Sequence, residues 1–221
     1  MKVAKNNNGE LISIYTAPKE HNYFCIEKGC ELIPKNKKKN NRKRDMHFAH
    51  TCACEGNLET YLHKIAKQII ETERKILLPE IGNVIVKDCT TEKYLRNIKP
   101  DILVTDITDK QIIVEIYVAH KCDEEKILKI KELNKYSFEI DLSKLDYNSD
   151  LETIKHEVLK NLLNKKILHS PEEKGLKVEE VKKNRIGEII AVVILLFTAL
   201  FIGKKIERKI TRKDYRKKYG K

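Results

Sequence analysis

The chain has 221 residues, enough for one ordinary domain with an appendage or for two small domains. Lys and Arg outnumber Asp and Glu by 45 to 33, and the resulting +12 favours an anionic partner, nucleic acid or a lipid headgroup surface; plain compositional bias toward Lys and Asn gives the same count. Six cysteines follow an opening, MKVAKNNNGE, that lacks the apolar run of an export signal, so thiols that are free or metal-bound are expected and a disulfide-stapled secreted scaffold is not.

Residues 1–56 read as a small β-rich module. LISIY (11–15) and YFCIE (23–27) have strand character, and KNKKKNNRKR (35–44) is a basic loop. So short a segment buries little core and needs something further to hold it together. A helix follows in NLETYLHKIAKQIIETERK, with Leu62, Ile65, Ala66, Ile69 and Ile70 as its inward stripe. Glu59, His63 and Lys67, at i, i+4 and i+8, share another face. NVIVKD, DILVTD and QIIVEIYVA are β-like. A helix is expected over 123–135 with Ile127, Ile130 and Leu133 inward, then a strand in YSFEIDLS. The spacing next predicts one long helix over 150–169, with Leu151, Ile154, Val158, Leu159, Leu162 and Leu163 along one side. The order helix, three strands, helix, strand, helix indicates a mixed α/β layer over 57–169.

Cys25-x4-Cys30 and His47-x2-His50 offer two pairs of zinc-type ligands, separated by 16 residues that hold the basic loop. Four protein ligands make a closed, structural site. Cys52 and Cys54 compete with the histidines, and spacing does not rank them. The alternative is that Phe48 and its neighbours are core with the histidines merely near it.

KPDILVTDITDKQIIVEIY should fold as an antiparallel hairpin turning near Asp106–Asp109, which brings Asp101 close to opposite Glu115. Ile112, Val114, Ile116 and Val118 then point one way, with Glu115 and Tyr117 on the other face. Opposed carboxylates in an apolar sheet repel unless a cation lies between them. A hard divalent ion such as Mg²⁺ is held by one or two carboxylates together with substrate phosphate, an arrangement suited to phosphodiester hydrolysis. The plain alternative has Asp101 capping a turn and Glu115 paired with a lysine.

Taken together, the C…C…HFAH module, ETYLHKIAK, the PD at 100–101, VEIYVAHKCDEEK and FEIDLS resemble, in order and spacing over roughly 20–145, the competence protein CoiA-like family. The nuclease domain of that family belongs to the PD-(D/E)XK superfamily. The resemblance implies a restriction-endonuclease-like mixed-sheet domain following the zinc-dependent β module. It implies Asp101 and Glu115 as ligands of catalytic Mg²⁺ or Mn²⁺, with Glu59 and His63 reaching the same site from the helix and Lys67 on the DNA backbone. The superfamily's Lys or Gln two residues after the glutamate is here Tyr117, which offers no fixed positive charge. Lys121 or Lys126 are the available replacements, Lys126 being better placed, and His120 lies close enough to hold a phosphate or water.

The C-terminal third lies outside the resemblance. After a charged linker (170–185), residues 186–203 are expected to form a hydrophobic helix built on an unbroken run of 15 uncharged residues, IIAVVILLFTALFIG, and a basic tail (204–221) carries ten Lys and Arg. Membrane association is expected from the all-round apolarity and the basic flanks. Positive-inside bias of the tail conflicts with thiol-bound zinc in the domain, and a cytoplasmic domain is the favoured arrangement. The expectation is therefore a membrane-tethered, metal-dependent DNA nuclease or processing factor. Structural zinc would shape it, and Lys37, Lys38, Lys39, Arg42, Lys43, Arg44 and Lys67 would grip the phosphate backbone. Its rival is a catalytically inactive DNA-binding or membrane-scaffold protein that keeps the fold.

Overall fold

The computed structural model describes residues 1–19, 21–36 and 45–171. The basic loop residues Lys37, Lys38, Lys39, Arg42, Lys43 and Arg44 lie outside the described residues. So do most of the expected 170–185 linker, the segment 186–203 where a hydrophobic helix is expected, and the basic tail. Among the described residues no helix is long and apolar enough to cross a membrane.

The described residues form an α/β structure with two sheets and three helices. The first sheet has five short antiparallel strands, β1 (Val3–Lys5), β2 (Leu11–Ser13), β3 (Tyr23–Phe24), β4 (Glu31–Lys35) and β5 (His47–His50), in the order β2-β1-β3-β4-β5. Both runs expected to be strands are present but shorter than their sequence patterns. HFAH itself is a strand. A small core of Ile14, Tyr23, Leu32 and Phe48 lies within this sheet, with the Tyr23 and Phe48 rings 5.0 Å apart.

α1 (Leu58–Glu73) begins where Asn57 accepts a hydrogen bond from the Thr60 amide at 3.0 Å. It ends at Arg74, which takes the left-handed conformation that turns the chain directly into β6 (Lys75–Leu78). Its inward stripe is as the periodicity predicts: Leu62, Ile65, Ala66, Ile69 and Ile70 are all buried. β7 (Gly82–Thr91), β8 (Ile102–Asp106) and β9 (Gln111–Tyr117) continue antiparallel. α2 (Glu124–Glu132) then crosses to β10 (Tyr136–Asp141), which runs parallel to β9. A parallel neighbour requires such a crossover, because a tight hairpin cannot return the chain in the same direction. α3 (Leu151–Leu159) and β11 (Lys165–His169) complete a six-stranded sheet, β11-β10-β9-β8-β7-β6.

The expected 150–169 helix stops at Leu159. Asn161 accepts a hydrogen bond from the Leu163 amide at 2.9 Å, and the Asn164 side chain donates to the Asp141 carbonyl at 3.2 Å. These short amide side chains give the backbone partners outside the helical pattern and so end the helix. Leu163, placed inward by the sequence pattern, is 99% exposed, and 165–169 pairs with β10 as an edge strand.

α1 and α3 pack against each other, and their buried residues share the larger core with Ile102, Val104, Ile112, Val114, Ile116, Phe138 and Ile140 of the sheet. α2 covers the other face, where Ile98, Ile113, Ile130 and Leu168 form a smaller cluster. Val3 and Ile26 of the N-terminal module also belong to the larger core, and residues 1–171 form one compact unit. The boundary expected near residue 56 separates two sheets that share a core.

Candidate functional site

Among the described residues two clusters of chemically capable side chains adjoin α1, one beside its first turn and one on the face that carries His63 and Lys67. The first is the thiol–imidazole set. Cys25 follows β3 and Cys30 precedes β4. The turn between them is closed by the Gly29 amide donating to the Cys25 carbonyl and the Cys25 amide donating to the Cys30 carbonyl, both at 2.8 Å. Gly29 has φ of 69°, a conformation that favours glycine. His50, at the end of β5, brings Nδ1 to 3.1 Å from Cys30 Sγ. Cys54, in the loop leading to α1, completes the group: the ligand atoms of Cys25, Cys30, His50 and Cys54 all lie within 4.8 Å of one another. A tetrahedral zinc with Zn–S near 2.3 Å spaces its sulfurs by about 3.8 Å, so this Cys₃His cluster is able to hold a metal such as zinc. The Cys30 thiol is pushed up to about 12 by burial and by hydrogen bonding with Cys54 and Cys52.

The expected set of Cys25, Cys30, His47 and His50 is corrected at one position. His47 and His50 are three residues apart on a strand, and alternation sends their side chains to opposite faces. His47 Nδ1 instead contacts the Asp45 carbonyl at 2.9 Å. Cys54 is the fourth member of the set, and the exposed Cys52 is not part of it.

The turn is fastened to α1 by Glu27. Its carboxylate accepts from the Asn57 amide at 2.6 Å and from the Tyr147 hydroxyl at 3.1 Å, while Lys64 donates to its carbonyl at 2.9 Å. Burial and the adjacent Glu27 charge raise the Tyr147 phenol to about 12, so it remains a donor. Sequence reading gave Glu27 and Tyr147 no role. They are 120 residues apart and no local pattern links them.

The second cluster is built on the β8–β9 hairpin. Ile102 pairs with Val114 and Thr105 with Gln111, which places Asp101 across from Glu115 as the sequence suggested. Asp101 Oδ2 accepts from the Ile116 amide at 2.9 Å. Two α1 side chains meet the other oxygen, His63 Nδ1 at 3.3 Å and Lys67 Nζ at 3.2 Å from Oδ1. Lys67 also reaches Glu92 at 3.1 Å. From α2, Lys126 Nζ lies 2.7 Å from Glu115 Oε2. Among the described residues Glu115 Oε1 is buried with no hydrogen-bond partner, and so is His63 Nε2.

The two carboxyl groups are driven apart in acidity. Burial pushes Glu115 up to about 7, with the neighbouring Asp101 adding to the rise and Lys126 opposing it. Burial also favours protonation of Asp101, but the hydrogen bonds and charges of His63, the Ile116 amide and Lys67 hold it well below the usual carboxylate range. Lys126 is half-buried, which disfavours its charge, yet Glu115 keeps it an ammonium.

The remaining expected residues divide. Glu59 shares the helix face of His63, but its ionic neighbour is the exposed His120 at 4.0 Å, and among the described residues it makes no hydrogen bond to Asp101 or Glu115. Lys121 lies over the Tyr117 ring at 5.3 Å, whereas Lys126 reaches Glu115. Lys67, expected on DNA backbone, is held by two carboxylates. Glu139 was not anticipated as a site residue. It pairs in register with Glu115, is buried, and accepts from the Cys122 amide at 2.8 Å, fixing the turn before α2. Comparison of the chain with family models, curated proteins and solved structures gives no match.

Proposed function

We propose that this chain is a divalent-metal-dependent DNA nuclease whose Asp101 and Glu115 serve phosphodiester hydrolysis. The observation that carries the proposal is the buried Glu115 Oε1 beside Asp101, an oxygen that has no hydrogen-bond partner among the described residues. A buried carboxylate oxygen without a donor is costly, and a cation satisfies it. Mg²⁺ or Mn²⁺ would be held by these two carboxylates, where it supplies polarisation of the phosphate and activation of water. Lys126 is positioned to offset phosphate charge in the role the superfamily gives to the lysine that Tyr117 replaces. His63, with Nδ1 3.3 Å from Asp101 Oδ1, would hold that carboxylate in place beside the ion. Zinc in the Cys₃His cluster is proposed as structural, because four protein ligands leave no open position. The membrane tether through 186–203 and a cytoplasmic domain belong to the same proposal and rest on the sequence of that segment.

The test is cleavage of single- and double-stranded DNA by the full chain with added Mg²⁺ or Mn²⁺. Asp101→Asn and Glu115→Gln should each lower the rate roughly 100-fold or more, the effect of losing several kcal/mol of metal-assisted stabilisation. Undiminished cleavage in both variants refutes the site. A second reading, a non-catalytic DNA-binding or scaffold protein, is favoured by Tyr117 and by the Lys126–Glu115 ion pair, which neutralises Glu115 without metal. It predicts salt-dependent DNA binding with no cleavage under either metal.

A further inference from the structure

The loop from β7 to β8 joins the second cluster to an exposed surface that the site chemistry does not use. Within it, Leu95 and Ile98 exchange backbone hydrogen bonds at 2.8 and 3.2 Å, leaving Arg96 and Asn97 at the tip of a tight turn. Ile98 is buried, and Leu95 packs beside it in the small cluster with Ile113 and Ile130, so the turn is anchored to the sheet. Its base is tied to the carboxylate pair: Glu92 lies 3.6 Å from Lys99 and 3.1 Å from Lys67, which in turn lies 3.2 Å from Asp101.

From this rigid base Tyr94 projects into solvent. At 73% it is the most exposed aromatic side chain among the described residues. Lys93, Arg96 and Lys99 around it are exposed as well. Before Asp101, Glu92 is the one carboxylate of the loop, and it already faces two lysines.

We propose that this loop grips single-stranded nucleic acid, with Tyr94 stacking on an unpaired base and Lys93, Arg96 and Lys99 meeting the flanking phosphates. An aromatic ring held out among cations matches a ligand that alternates flat apolar faces with anionic groups. The ligand is single-stranded because duplex pairing and stacking hide the base faces that a lone tyrosine would meet. The inference rests on the nuclease reading only for where the strand leads: Lys99 is two residues from Asp101, so a gripped strand would run on toward the carboxylate pair.

The chain contains no tryptophan, so Tyr94→Trp introduces a single reporter at the platform. Titrated with a 20-nucleotide oligo-dT and no added Mg²⁺ or Mn²⁺, the full-length variant should show saturable fluorescence quenching. A 20-base-pair duplex should give little. By anisotropy of labelled DNA, Tyr94→Ala should weaken oligo-dT binding roughly five- to hundredfold, while Tyr94→Phe stays within about twofold of wild type. Arg96→Ala should shrink the slope of log K against log salt by about one phosphate contact. Absence of quenching while oligo-dT still binds overturns the grip, as does equal weakening of single-strand and duplex binding by Tyr94→Ala. Failure of wild type to bind oligo-dT also overturns it, as would quenching by phosphatidylglycerol vesicles in place of DNA. DNA cleavage without quenching would leave the nuclease reading standing and remove the grip. Quenching without cleavage would do the reverse.

Discussion

Gly56 provides a sharp test of how the metal-binding turn is held to the rest of the chain. Its backbone is not in the left-handed region, so alanine is conformationally allowed and would by itself stabilise the chain by about 0.4–1 kcal/mol through the unfolded state. The obstacle is packing: a Cβ there would lie 2.6 Å from the Tyr147 hydroxyl oxygen and 3.1 Å from Glu27 Oε1. Tyr147 must swing away, losing its 3.1 Å hydrogen bond to Glu27 and its tilted contact with Tyr61, whose ring centroid is 4.9 Å distant. A hydrogen bond to a carboxylate contributes about 1.5–3 kcal/mol and an aromatic pair about 0.5–1.5 kcal/mol. Gly56→Ala should therefore destabilise by about 2–3 kcal/mol net, a drop in Tm of roughly 4–12 °C for a domain of this size. The assay is thermal and urea denaturation of the zinc-supplemented full chain. It is run for Gly56→Ala, Tyr147→Phe and the double variant, so that the coupling between the two positions is read directly. In the Tyr147→Phe background the hydroxyl is gone and Gly56→Ala should cost less than about 1 kcal/mol. A neutral Gly56→Ala, or the same cost in both backgrounds, would refute this account of the clasp.

The zinc assignment predicts that Cys54→Ser and His50→Ala each lower the zinc retained per chain after gel filtration, while His47→Ala retains as much as wild type. Loss in His47→Ala with retention in Cys54→Ser would restore the ligand set expected from spacing. Lys165 is held down to about 8 by burial, against the opposing charge of Glu157. The native state then sheds its proton before the unfolded chain does, so the destabilisation is complete below pH 8 and relieved as pH rises toward 10.5. The full relief is at most about 3 kcal/mol. Lys165→Met should remove that rise, and denaturation midpoints at pH 7, 8, 9 and 10 that shift in parallel for both proteins would exclude it. Leu163→Glu should change stability by less than about 0.5 kcal/mol, because the side chain is almost fully exposed; a loss above 2 kcal/mol would mean that the helical stripe continues after all.

Where a side chain's role follows from its own element, the sequence was readable. The α1 stripe and the Asp101–Glu115 opposition depend only on a 3.6-residue period and on hairpin alternation, and both are present. The same alternation, applied to HFAH as a strand, would have separated His47 from His50. Motif spacing alone treats them as a pair. Over 150–169 leucine periodicity outweighed Asn161 and Asn164, whose local hydrogen bonds end the helix. Lys126 was identifiable only as the better of two candidates, since its approach to Glu115 depends on how α2 crosses the sheet. Glu27, Tyr147 and Glu139 were illegible because each acts through a partner distant in sequence, and one buried acid looks like another until the backbone amide it accepts from is known.

α1 concentrates three duties on 16 residues. Its first turn is fastened to the Cys₃His turn, its inner face fills the larger core, and a third face meets Asp101. These duties are fixed relative to one another by the helix's 100° step, so no one of them can be adjusted alone. A single-residue insertion in α1 would rotate everything downstream of it by more than a quarter turn and misalign core and carboxylate contacts together. In a scan of insertions and deletions along the chain, this helix should stand out as the stretch where length, rather than residue identity, is the property under strictest constraint.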